Sequence, residues 1–98
     1  NYLNEERFAK SYARGKFYMK KWGRLKIKKH LKFKGINGRL INSAMQEIDI
    51  EDYNRTVKNM FDRQMELYVG LKDYEKRNKT IKYLIAKGYE YEIIMDNV

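Results

Sequence analysis

Apolar side chains recur along this chain every three or four positions, in blocks parted by glycines and short polar turns, and almost nowhere in the alternation that a strand needs. There is no proline to interrupt the pattern. It predicts an all-α protein. Asn4 is placed to cap a first helix whose opening turn carries Glu5 and Glu6, the sign that the helix dipole favours, with Leu3 and Phe8 spaced as a hydrophobic staple. Phe8, Tyr12, Gly15 and Met19 share one face of that helix, and Phe8 and Tyr12 are expected in the core. Gly23 marks a break. Ile27 and Leu31 then stripe a short helix ending at Gly35, a left-handed C-cap, and Leu40, Ile41, Ala44, Met45 and Ile48 stripe a third. Asp49 or a near neighbour caps a long fourth helix through Tyr53, Val57, Met60, Phe61, Met65 and Tyr68, which Gly70 stops. Asp73 caps the fifth, with Arg77, Ile81, Leu84 and Ile85 running to Gly88, and a short sixth carries Ile93, Ile94 and Val98.

Sliding the chain on itself by fifty-three positions aligns Phe8 with Phe61, Leu31 with Leu84, Lys34-Gly35 with Lys87-Gly88, and Leu40-Ile41 with Ile93-Ile94. The expected architecture is therefore a pair of tandem three-helix repeats, residues 1–48 and 49–98, packed into an elongated, curved array. At 98 residues the chain has room for little else. It opens with Asn1 rather than Met, the sign expected of a piece of a longer protein.

Charge breaks the symmetry that the core keeps. Residues 1–49 hold thirteen Lys/Arg against four acids, and residues 50–98 hold nine against nine, so the whole net charge of +9 sits in the first half. Between Lys10 and Lys34 eleven basic residues meet no acid at all. A solvated face usually mixes both signs. One sign alone repels itself unless a polyanion or an acidic partner lies against it. Tyr12, Phe17, Tyr18, Trp22 and Phe33 stand among these cations, in a combination suited to holding phosphates and stacking on bases. Only the first repeat is built for a polyanion.

Other chemistry finds little support. Without cysteine there is no disulfide, thiolate metal site or thiol nucleophile, and His30, the only histidine, has no second imidazole to share a metal. Glu47, Asp49, Glu51 and Asp52 gather at a predicted helix junction, where capping explains them better than acid/base catalysis. Gly35-Ile36-Asn37-Gly38-Arg39 looks like the GXXG clamp of a KH module, but that module needs strands, and a new cap at Asn37 is the plainer reading. No catalytic residue, metal or cofactor is expected. No apolar run long enough to cross a membrane and no targeting segment is present in the sequence, and the expected setting is the cytoplasm.

Asn4-Glu5-Glu6-Arg7-Phe8-Ala9, then Lys21-Trp22-Gly23, then Leu31-Lys32-Phe33-Lys34-Gly35-Ile36 resembles the middle repeat of the RecX regulatory proteins, where an acidic ERFA start precedes a WG turn and an L…KGI helix end. The stretch from Lys82 to Ile94 is similar to that family's third repeat, with Tyr89 where the family often has Phe. The resemblance implies a regulator that binds RecA–single-stranded DNA filaments along their groove and suppresses ATPase, strand exchange and coprotease activities. It also implies that the second and third of three repeats are present here. Lys20, Lys21, Trp22, Arg24, Lys28, Lys29 and Lys32 are the residues expected to bear on DNA phosphate or acidic filament surface, in a monomer whose neutral second repeat contacts protein. The alternative is a helical module that binds DNA without sequence preference and without a recombinase partner. Its basic helix is mostly Lys, which favours phosphate contact over base readout.

Overall fold

The computed structural model describes residues 4–98, which form six helices and, among the described residues, no strand. They are α1 (Glu5–Tyr18), α2 (Arg24–Phe33), α3 (Gly38–Met45), α4 (Ile50–Leu67), α5 (Asp73–Ala86) and α6 (Tyr91–Asp96). The all-α expectation holds, and with it the GXXG reading falls: Asn37 accepts the Leu40 N–H at 2.9 Å and starts α3.

Helix α1 corrects the sequence pattern. Its buried stripe is Ala9, Ala13 and Phe17, while Phe8 is 44% exposed and Met19 80% exposed. Two alanines let α1 lie close against α3, its principal partner, where Ile41, Ala44 and Met45 are buried. Phe8 instead packs on Tyr12 at the edge of the core, with ring centroids 5.7 Å apart. Asn4 makes no side-chain cap bond, so the first turn keeps only the acids Glu5 and Glu6. The expected Leu3 staple lies outside the described residues.

Elsewhere the local signals work. Ile27 and Leu31 are fully buried on α2, and Asp49 caps α4 by accepting the Asp52 N–H at 3.0 Å. Along α4 Tyr53, Val57 and Phe61 are buried. The start of α5 falls one residue earlier than expected: Lys72 is the N-cap, its N–H donating to Glu75 Oε1 at 3.2 Å. On α5 Leu84 is buried, whereas Ile85 is 47% exposed.

The internal repeat is visible in bond-by-bond detail. Gly35 and Gly88 both have positive φ, at 88° and 101°. After each glycine the next N–H reaches back five residues, Ile36 to Leu31 O and Tyr89 to Leu84 O, both at 3.1 Å. The glycine N–H groups donate to Lys32 O at 3.0 Å and Ile85 O at 2.9 Å, the paired closure of a left-handed C-cap. Ile41 and Ile94 are buried at matched positions. Phe8 and Phe61 part company, since Phe61 is buried and Phe8 is not.

Helices α1–α3 pack on one another, and so do α4–α6. The two groups join at one crossing of backbone. Gly23 N–H donates to Lys87 O at 2.7 Å and Leu25 N–H to Gly88 O at 2.9 Å. A Cβ on Gly23 would run into the Gly88 carbonyl, and one on Gly88 would run into Lys26. Around this crossing Phe17, Tyr53 and Tyr89 stack in sequence, with centroid separations of 5.5 and 5.2 Å. One hydrophobic cluster thus runs through both groups, in a molecule 52 × 24 × 21 Å across.

Candidate nucleic-acid interface

Two kinds of anchoring distribute the cations over the surface. Some are held inward. Arg24 Nε donates to Glu90 Oε2 at 2.7 Å, its guanidinium lies 4.4 Å from the Tyr53 ring centroid, and its backbone N–H donates to Tyr53 Oη at 2.9 Å. Tyr53 in turn donates its hydroxyl to Glu90. Arg24 therefore belongs to the junction between the helix groups rather than to the row of free lysines. Burial pushes the Tyr53 and Tyr89 phenols well above their ordinary value, which keeps both neutral.

Trp22 is half-buried between α1 and α2. It meets Tyr12 edge-on at 6.4 Å and His30 at 4.7 Å, with Lys16 and Lys26 ammonium groups 4.7 and 4.5 Å from its ring centroid. Lys34 adds a third cation over the Tyr12 ring. The ring is thus part of a packed aromatic cluster that holds its own cations. The sequence alone marks Lys16 and Lys26 only as members of the basic run and Tyr12 only as one of its aromatics. Their spacing along α1 and α2 carried the signal, but the cluster requires the two helices to meet.

The remaining candidates form two groups. Lys32 lies three and four positions after Lys29 and Lys28 on α2, so it neighbours both on the helix surface, and Lys29 and Lys32 flank His30 and Phe33. Phe33 is 92% exposed. Lys20 and Lys21 sit apart, on the connection after α1, where they line a cleft of about 460 Å³ with Arg63 of α4 and Tyr83 and Lys87 at the end of α5. Among the described residues Lys20, Lys21, Lys28, Lys29 and Lys32 form no ion pair; the acids pair with Lys10, Arg14, Arg24, Arg55 and Lys58. Arg63 and Lys87 escaped the sequence reading because the second half is neutral in total. The alignment of Lys34-Gly35 with Lys87-Gly88 marked Lys87 as a repeat position without giving it a ligand.

The acids at the α3–α4 junction are occupied with structure. Asp49 caps α4, Glu47 accepts from Arg14 at 2.6 Å, and Asp52 accepts from the Tyr18 hydroxyl at 2.7 Å. That phenol and Arg55 hold the Asp52 carboxyl below its ordinary value, and the same hydrogen bond raises Tyr18. No cluster of three potential metal ligands occurs among the described residues, and none of their helices is long and apolar enough to cross a membrane.

Residues 4–45 match the family model for the second three-helix domain of RecX. Curated relatives extend the likeness along the chain. It is 29% identical over 94 residues to the regulatory protein RecX of Clostridium perfringens (strain 13 / Type A), covering 94% of this chain and 43% of that protein. It is 36% identical over 78 residues to RecX of Staphylococcus carnosus, covering 74% of this chain and 29% of that protein. The RecX of Clostridium botulinum (strain Eklund 17B / Type B) is 28% identical over 100 residues, covering all of this chain and 46% of that protein. This chain spans less than half the length of the relatives it matches. No solved structure matches it. The domain match over α1–α3, the relatives along nearly the whole length and the all-helical repeat architecture place the chain in the RecX family.

Proposed function

We propose that this chain regulates RecA by lying against RecA–single-stranded DNA filaments in the cytoplasm, inhibiting recombinase, ATPase and coprotease activities, as a monomer and without a catalytic residue, metal or cofactor of its own. The observation that carries this reading is the run of lysines on α2 and before it that no carboxylate neutralises, on a long body able to touch more than one subunit of a polymer. In this reading residues 1–48 form the repeat with the basic face and residues 49–98 a second repeat that adds protein contact. A family of proteins named for regulation supports an effect exerted by binding rather than by turnover.

The test replaces Lys28, Lys29 and Lys32 by Glu and measures inhibition of RecA ATPase on single-stranded DNA. The expected outcome is a loss of inhibition of about tenfold or more in the concentration required, since each reversal turns an attraction to phosphate into a repulsion. Unchanged inhibition would remove the α2 face from the mechanism. If the parent chain bound bare DNA as tightly as the filament, the recombinase-independent DNA-binding module would be the better account.

A further inference from the structure

The cleft between the two helix groups is a meeting place of cations that no single stretch of sequence contains. Lys20 and Lys21 come from the connection after α1, Arg63 from α4 and Lys87 from the end of α5, with Asn59 and Tyr83 on the walls and no acid in the lining. None of the four cations forms an ion pair among the described residues. At about 460 Å³ the space lies within the range of small-ligand sites, ~300–1,000 Å³. Like charges gathered in a concave surface reinforce one another's potential and draw in anions.

Lys21 supplies a second observation. It is the only non-glycine residue with positive φ among those described, at 60°. The left-handed region disfavours a side chain, and the other positive φ values here belong to glycines. The surrounding bonds fix it there: Lys21 N–H donates to Phe17 O at 3.0 Å, and the buried Tyr89 donates its hydroxyl to Lys21 O at 2.7 Å. Glycine would suit this backbone better, so a lysine here stands at a conformational disadvantage; its ammonium donates to Tyr18 O at 3.3 Å and keeps two further donors for an anion in the cleft.

We propose that this cleft binds the phosphodiester backbone of a single nucleic-acid strand, with Lys20, Lys21, Arg63 and Lys87 of its lining as the phosphate contacts. The cations come from separate elements and face an open groove rather than an enclosed pocket, an arrangement that tracks a chain of phosphates. Tyr83, partly exposed on the wall, offers a ring face to a base. The electrically neutral second half thereby provides two of the four charges. The site is distinct from the α2 lysines, and its binding to bare strand stands or falls without RecA.

The experiment titrates this chain with labelled oligothymidylate and follows anisotropy across a salt series, in the parent, in Arg63→Glu/Lys87→Glu and in Lys21→Gly. The double variant is expected to weaken binding about tenfold or more and to flatten the slope of log affinity against log salt by about 1.4, the share of two phosphates on a single strand. Lys21→Gly is expected to weaken binding several-fold while raising the melting temperature, which a merely structural residue would not do. Affinities within twofold of the parent and an unchanged slope in both variants would overturn the proposal. In the parent protein, the Met60 methyl resonance at the cleft is expected to move on titration; a stationary Met60 signal at saturation overturns it even if the double variant fails to fold. Tripolyphosphate and thymidine monophosphate serve as competitors. Displacement of the oligomer by either at equal phosphate concentration would assign the cleft to free anions and overturn the strand.

Discussion

At the scale of single residues the most consequential side chain is Tyr53. Its ring separates Phe17 from Tyr89, its face carries Arg24, and its hydroxyl both accepts the Arg24 N–H and donates to Glu90. Burial raises its pKa above the ordinary 10.0, and the bond to Glu90 adds to the rise while the Arg24 N–H opposes it. A raised acid binds its proton more tightly in the folded state, so the stability it contributes is intact below 10.0 and is lost as the pH climbs above it. Tyr89 is shifted the same way by burial. Replacing Tyr53 by Phe removes one of these protons. The expected result is a lower stability near neutral pH, by about 1–3 kcal/mol because two partners lose their hydrogen bond, together with a shallower alkaline decline than in the parent. Thermal unfolding followed from neutral pH to about pH 11 checks both, and comparison with the parent cancels the titration of the lysines. Parallel alkaline declines in the two proteins would place the proton elsewhere.

At the scale of elements the glycines sort themselves by surroundings. Gly88 carries two constraints, a φ of 101° and a backbone pressed against Lys26, and Gly88→Ala is expected to destabilise by more than about 2 kcal/mol. Gly70 has the positive φ but open space, so Gly70→Ala is expected to lose only about 1 kcal/mol. Gly15 lies within α1 with nothing close to it, and Gly15→Ala is expected to gain about 0.5–1 kcal/mol. Urea unfolding of the three variants tests the order, and an equal loss at Gly70 and Gly88 would dismiss the crossing as a constraint. The same contrast explains what was legible in the sequence. The caps at Asn37 and Asp49 and the turns at Gly35 and Gly88 are local chemistry, legible from neighbouring residues. The buried face of α1 was not, because apolar size favoured Phe8 while close packing on α3 favoured Ala9 and Ala13. Arg24 read as one more cation of a basic run, since Glu90 lies sixty-six residues away. The basic surface was legible as charge; its division into an α2 row and a cleft was not, because the cleft needs Lys87 and Arg63 brought beside Lys21.

At the scale of the whole molecule, folding and the proposed strand binding are expected to respond to salt in opposite directions. The net charge of +9 arises in residues 1–49, and five ion pairs among the described residues do little to offset it. Four of the pairs are largely exposed, a setting in which each contributes well under about 1 kcal/mol; only Arg24–Glu90 is substantially covered. Unpaired lysines on α2 stand closer together than the Debye length of about 10 Å at 0.1 M salt, so they repel one another in dilute buffer and are relieved as salt rises. Raising sodium chloride from about 0.05 M to about 0.5 M is therefore expected to stabilise the fold by about 0.5–1 kcal/mol, a rise of roughly 2–8 °C in melting temperature for a domain of this size. Over the same range affinity for a nucleic-acid strand should fall steeply, because released counterions return to the phosphates. Calorimetry and anisotropy on one preparation measure the two responses side by side. A melting temperature that fell with salt would mean that the pairs outweigh the repulsion, and the lysine surface would no longer need an anionic partner to relieve it.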